Sequence, residues 1–133
     1  MVQHPKMKEW DDTLKSVFDG IDHYLEDKYG QSYSLHPNRP ERGRTANPEM
    51  DGLFNVGASY TTGYGSRIGK GYVVDIHLST LESKDPALLE KIETEVMALL
   101  KARLAEAFPG RTLFVEKEGH IMKIHGDLSL GTV

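Results

Sequence analysis

The chain has no cysteine, so disulfides, thiolate metal sites and a catalytic thiol are all excluded, and its stability must come from packing. It has no run approaching the ~18 apolar residues that a bilayer span requires, and "MVQHPKMKEW" lacks the apolar stretch of a secretory signal. A soluble, cytoplasmic protein with no membrane segment is the resulting expectation. It also lacks a basic excess: 16 Lys and Arg stand against 20 Asp and Glu, a net charge of -4, which argues against general nucleic-acid binding. No G-x-S-x-G elbow and no H-E-x-x-H occurs, so two common hydrolase signatures are missing.

What is present fits one compact α+β domain over residues 1–133, with 38% hydrophobic and 27% charged residues. Met7, Trp10, Leu14, Val17, Ile21 and Leu25 recur every three or four residues between about Lys6 and Tyr29. That stripe predicts an amphipathic helix whose charged residues, Asp19, Asp22 and Glu26 among them, keep the opposite face wet. A second helix opens at Asp85-Pro86 and closes at Phe108-Pro109-Gly110, a capping residue with proline behind it and a proline-glycine stop. Its stripe is Leu89, Ile92, Val96, Leu99, Leu100, Leu104 and Phe108. "LFNVGASYT" and "GYVVDIHLST" alternate as half-buried strands, and "TLFVEK" and "HIMKIHGDLSL" form a hairpin about Glu118-Gly119. The order α-β-β-α-β-β predicts a two-layer sandwich: a four-stranded antiparallel sheet with two helices on one face. That layout resembles one shared by several small bacterial domains, some of which bind RNA or iron-sulfur assembly partners. Without a GXXG loop between helices or any cysteine, neither function carries over.

Between the first helix and the first strand, residues 31–52 contain three prolines and two glycines and have no period. Prolines restrict such a loop, so it is expected to lie against the body. From Asn38 to Gly71 five basic residues face three acidic ones, a local +2, whereas the rest of the chain sums to -6, from 11 basic against 17 acidic. A positive segment on an acidic body suits a small anionic ligand. "GYGSRIGKG" at 63–71 departs from both phosphate-loop and dinucleotide fingerprints and leads into a strand, so it reads as a glycine-rich hairpin connection. Glycine amides beside Arg67 and Lys70 could still form an anion nest. Together these features predict an anion-accepting cleft built from Arg42, Arg44, Arg67 and Lys70. On that reading the chain is a ligand-binding or protein-interaction module.

A second constellation points to different chemistry. With Tyr72, Val74, Ile76 and Leu78 toward the helices, Asp75 and His77 share the open face of their strand. Met122 and Ile124 facing the same core would put His125 and Asp127 on that open face too. Two imidazoles and two carboxylates suit a divalent metal or general-base catalysis, the alternative reading as a metal-dependent hydrolase-like enzyme. The ordinary reading of the same face is solvated residues or a homodimer interface, with Val73, Phe114 and Ile121 beside the polar residues. No cofactor is indicated.

Overall fold

A computed structural model describes residues 5–45, 51–63 and 68–126 of the chain. The element order is α1 (Pro5–Tyr29), β1 (Phe54–Thr61), β2 (Gly71–Leu78), α2 (Pro86–Ala107), β3 (Leu113–Glu118) and β4 (Ile121–Gly126). The strands make one four-stranded sheet in the order β1-β2-β4-β3 with every neighbour antiparallel. The expected α+β sandwich is the fold observed. No helix among the described residues is long and apolar enough to cross a membrane.

The periodicities explain the layers. Trp10, Leu14, Val17, Ile21, Leu25 and Tyr29 bury one stripe of α1, while Ile92, Val96, Leu100 and Leu104 bury one stripe of α2. Both stripes join Phe54, Val56, Val74, Leu78, Val115, Met122 and Ile124 in a single hydrophobic cluster. The strand residues in that cluster alternate along their strands, as a sheet covered on one side requires. Trp10 ties α1 to the rest: its indole nitrogen donates to the Tyr72 hydroxyl at 3.0 Å, and its ring lies 4.3 Å from that of Phe108. Gly20 faces the second helix, where an added methyl group would make ordinary contact, 3.5 Å, with the Arg103 guanidinium. Asp85 caps α2 by accepting from the Ala87 amide at 3.0 Å, with Pro86 in the first helical position.

The β3–β4 turn and one acid of α1 differ from the sequence reading, and Leu89, Leu99 and Phe108 of the expected α2 stripe are only partly buried. The β3–β4 turn is Gly119-His120, one residue later than expected, because Glu118 still pairs with Ile121 and Gly119 supplies the positive φ of 65°. Asp22, expected on the wet face of α1, is fully buried, for a reason given by the first strand.

Candidate functional site

β1 is an edge strand, so alternate amides on its outer side point away from β2 and need partners. α1 provides them. Asp22 accepts the Val56 amide at 2.7 Å, and one turn later Glu26 accepts those of Leu53 and Phe54 at 3.0 and 3.2 Å. Two carboxylates at i, i+4 on a helix thus stand in for a neighbouring strand. This explains the burial of Asp22: its side chain lies beside the apolar stripe, aimed at the sheet edge.

Glu26, the Asp22 carbonyl and a third acid, Asp51, hold the long connection down through Arg42. Arg42 pairs with Asp51 at 3.2 Å and with Glu26 at 3.5 Å, and donates to the Asp22 carbonyl at 3.4 Å. Asp51 is 1% exposed and also accepts from the Thr45 amide and hydroxyl, each at 2.9 Å, and from the Gly43 amide at 3.2 Å. Burial alone pushes the Asp51 carboxyl upward, but these donors and the Arg42 charge outweigh it and hold the group below its ordinary range. Arg39 reaches the carbonyls of Gly52 and Asp51, both at 3.0 Å, and the His36 amide donates to the Ser79 carbonyl at 2.7 Å. The described residues of the segment expected to lie against the body do so through partly buried ionic hydrogen bonds, which are stronger than neutral ones.

Where this segment meets the end of α1, it leaves a cleft of about 680 Å³. Its lining includes Gln31, Ser32, Tyr33 and Glu82 around a floor of Leu53, with Glu26 and Arg42 in the wall. Glu82 accepts the Ser34 amide at 2.8 Å, and the Tyr33 hydroxyl takes the Asp85 amide at 2.7 Å. The rim is therefore tied to the N-terminus of α2.

The four residues of the anticipated anion site are distributed unevenly. Arg42 lines the cleft, with 18% of its side chain exposed. Arg44 is exposed and 3.7 Å from Glu41. Lys70 is exposed and adjoins Gly71 at the start of β2. Arg67 lies outside the described residues. Glu26 binds Arg42 at the Phe54 end of β1, and Phe54 pairs with Leu78, whereas Gly71 pairs with Thr61. Arg42 and Lys70 thus belong to opposite ends of the β1–β2 hairpin, about 24 Å apart at ~3.4 Å per residue. They do not form one cleft.

The open sheet face is likewise divided. Asp75 and His77 stand opposite Gly57 and Asn55 in β1. β2 pairs with β4 as Tyr72 with Ile124 and Val74 with Met122, a register that sets His125 level with Gly71. His125 is therefore four residues from Asp75 along the strand direction, roughly 13 Å. It hydrogen-bonds Glu116 and stacks on Phe114, with ring centroids 5.3 Å apart. Asp127 lies outside the described residues, among which no three His, Asp or Glu side chains converge to hold a metal ion. Phe114 and Ile121 are each 48% exposed, but the register sets them at different ends of the β3–β4 hairpin with Glu116 and Lys123 between. Lys123, which alternates onto this uncovered face, is 4% exposed and donates to the Gly69 carbonyl at 3.0 Å, which brings Gly69 over it.

Sequence reasoning missed Asp22, Glu26 and Asp51. The available signal was two acids four apart, each beside an apolar stripe residue, Ile21 and Leu25.

The fold and cleft define a two-layer α+β protein with a polar cleft at one end of its edge strand. The chain belongs to the protein family described as "Uncharacterised protein", whose match covers residues 5–126. That span runs from the first residue of α1 to the last of β4, so the family unit is the whole layered fold. A relative from Borreliella burgdorferi, described as "Uncharacterized protein", is 38% identical over 121 residues, 91% of this chain and 94% of its own length. No solved structure matches the chain.

Proposed function

We propose that the chain is a small binding module whose ligand occupies the cleft between the end of α1 and the segment 30–42. One observation carries the reading: a cavity of about 680 Å³ in which Gln31, Ser32, Tyr33 and Glu82 surround an apolar floor. Its size falls within the ~300–1,000 Å³ of ordinary ligand sites, and its lining is more polar than theirs, which suits a polar ligand.

The charge of the ligand follows from Arg42 and its neighbours. An anion would have to compete for a guanidinium already met by Asp51 and Glu26. Glu41 and Glu82 add further negative charge to the same lining. A polar ligand carrying a cationic group suits this wall better than the small anion the composition suggested.

The test is a thermal-shift series on the full chain with spermidine, lysine, phosphate and citrate, because a ligand that prefers the folded state raises its midpoint. A rise with spermidine or lysine that shrinks in Glu82→Gln is the expected result. A rise with phosphate or citrate that vanishes in the Arg44→Ala, Arg67→Ala double variant would restore the anionic ligand. No rise with any probe would remove the cleft as a ligand site.

A further inference from the structure

The carboxylate cover on β1 does not run its full length. At its C-terminal end α1 lies along the strand edge, with Glu26 and Asp22 bound to the amides of Leu53, Phe54 and Val56. At its N-terminal end α1 has crossed toward β2, where Trp10 meets Tyr72. The helix and the edge therefore diverge. Between them runs a cavity of about 450 Å³, whose lining includes Asp11, Leu14, Lys15 and Phe18 of α1 and Ala58 and Ser59 of β1. Burial falls away along the same path: Val56 is buried, Ala58 half-buried, and Ser59 and Tyr60 exposed, Tyr60 by 57%.

Backbone alternation fixes what this stretch offers. The Val56 amide points away from β2 to reach Asp22, so those of Ala58 and Tyr60 point the same way. Among the described residues, none plays the part of Asp22 for them. The run Ala58-Ser59-Tyr60-Thr61-Thr62 has no charge and no proline, the usual devices that keep an edge strand from pairing.

We propose that this edge is an interface between two copies of the chain, joined β1 to β1 in antiparallel pairing about a two-fold axis at Ser59. In that register Ala58 of one copy and Tyr60 of the other exchange both backbone hydrogen bonds, and the pair recurs by symmetry. The side chains fit the same arrangement. Ala58 is small and borders the cavity, and its cross-strand neighbour would be the exposed Tyr60 ring of the other copy, aimed into the space beside Leu14 and Phe18. An uncharged edge opposes no like charges when it meets itself, and a small residue beside a cavity facing an exposed aromatic is self-complementary. The occupant is thus a second copy of this chain, and the two four-stranded sheets become one continuous sheet.

The absence of native cysteine makes the test selective. Ser59 would face its own symmetry mate in a non-hydrogen-bonded pair, with Cα atoms about 4.5 Å apart, within disulfide reach. Ser59→Cys should cross-link to a covalent dimer under mild oxidation, and His77→Cys, on the open face of β2, should not. In sedimentation equilibrium at micromolar concentrations the native chain should be dimeric, Tyr60→Lys monomeric with unchanged far-UV circular dichroism, and Ile121→Lys still dimeric. A monomeric native chain overturns the proposal. So does a dimer that Ser59→Cys fails to cross-link, or one abolished by Ile121→Lys and retained in Tyr60→Lys. If Tyr60→Lys does not fold, cross-linking at position 59 decides alone.

Discussion

Replacing Asp51 with asparagine should cost this domain about 3 kcal/mol at neutral pH. Asp51 is 1% exposed and receives hydrogen bonds from Arg42, Gly43 and twice from Thr45. Hydrogen bonds to a charged group are worth roughly 1.5–3 kcal/mol and neutral ones roughly 0.5–1.5, so neutralising the acceptor weakens every contact. The asparagine amide would also set a donor against either the Thr45 or the Arg42 donors. Removing one partner of a buried pair costs about 3–5 kcal/mol, and the low end applies because Arg42 keeps Glu26 at 3.5 Å. In a domain of this size that is a fall of about 10 °C in melting midpoint. The pH dependence gives a second, independent check. The folded Asp51 carboxyl is held below its ordinary 3.8, so its contribution is fully present above that value and is lost as pH falls through the lower folded one. The stability gap between the native chain and Asp51→Asn should therefore be widest near pH 7 and close as pH drops below about 4. Urea unfolding from pH 7 downward measures it. A gap under about 0.5 kcal/mol at neutral pH, or one that persists unchanged in acid, would refute the reasoning.

Other substitutions probe separate parts of the account. Asp22→Ala should cost about 2 kcal/mol in urea, because it leaves the Val56 amide of the edge strand without its 2.7 Å acceptor. Gly71→Ala should lose about 1–3 kcal/mol, since its Cβ would lie 2.4 Å from the Ile124 carbonyl oxygen across the β2–β4 pair. Gly57→Ala, where nothing lies within 4 Å, should be neutral or stabilise by up to about 1 kcal/mol; equal losses at the two glycines would contradict the packing. Zinc should raise the midpoint of the native chain no more than that of an Asp75→Ala, His77→Ala variant. A stoichiometric metal that disappears with those side chains would revive the hydrolase alternative.

Much of the fold could be read directly because its signals are local. The α1 stripe, the Asp85-Pro86 cap and the alternation of β2 each depend on neighbours a few residues away. What could not be read depends on tertiary placement. Asp22 and Glu26 fall among the acids that would ordinarily be solvated, and only the position of β1 at the sheet edge turns them into acceptors for strand amides. Arg42 looks like a free cation in a basic stretch until Asp51, nine residues on, folds beneath it. His125 does share a face with Asp75, as alternation predicts, but the register of β2 on β4, which no single strand encodes, sets them roughly 13 Å apart. Lys123 alternates onto the uncovered side and is nonetheless buried, with Gly69 over it.

Residue-resolved amide exchange on the native chain tests most directly the claim that helix carboxylates and Asp51 bind the edge strand and the long connection to the body. The amides of Val56 and Thr45, one on an open edge and one in a segment without regular structure, should exchange as slowly as interior positions of β2. Exchange of both at the rate of an unstructured peptide would contradict it.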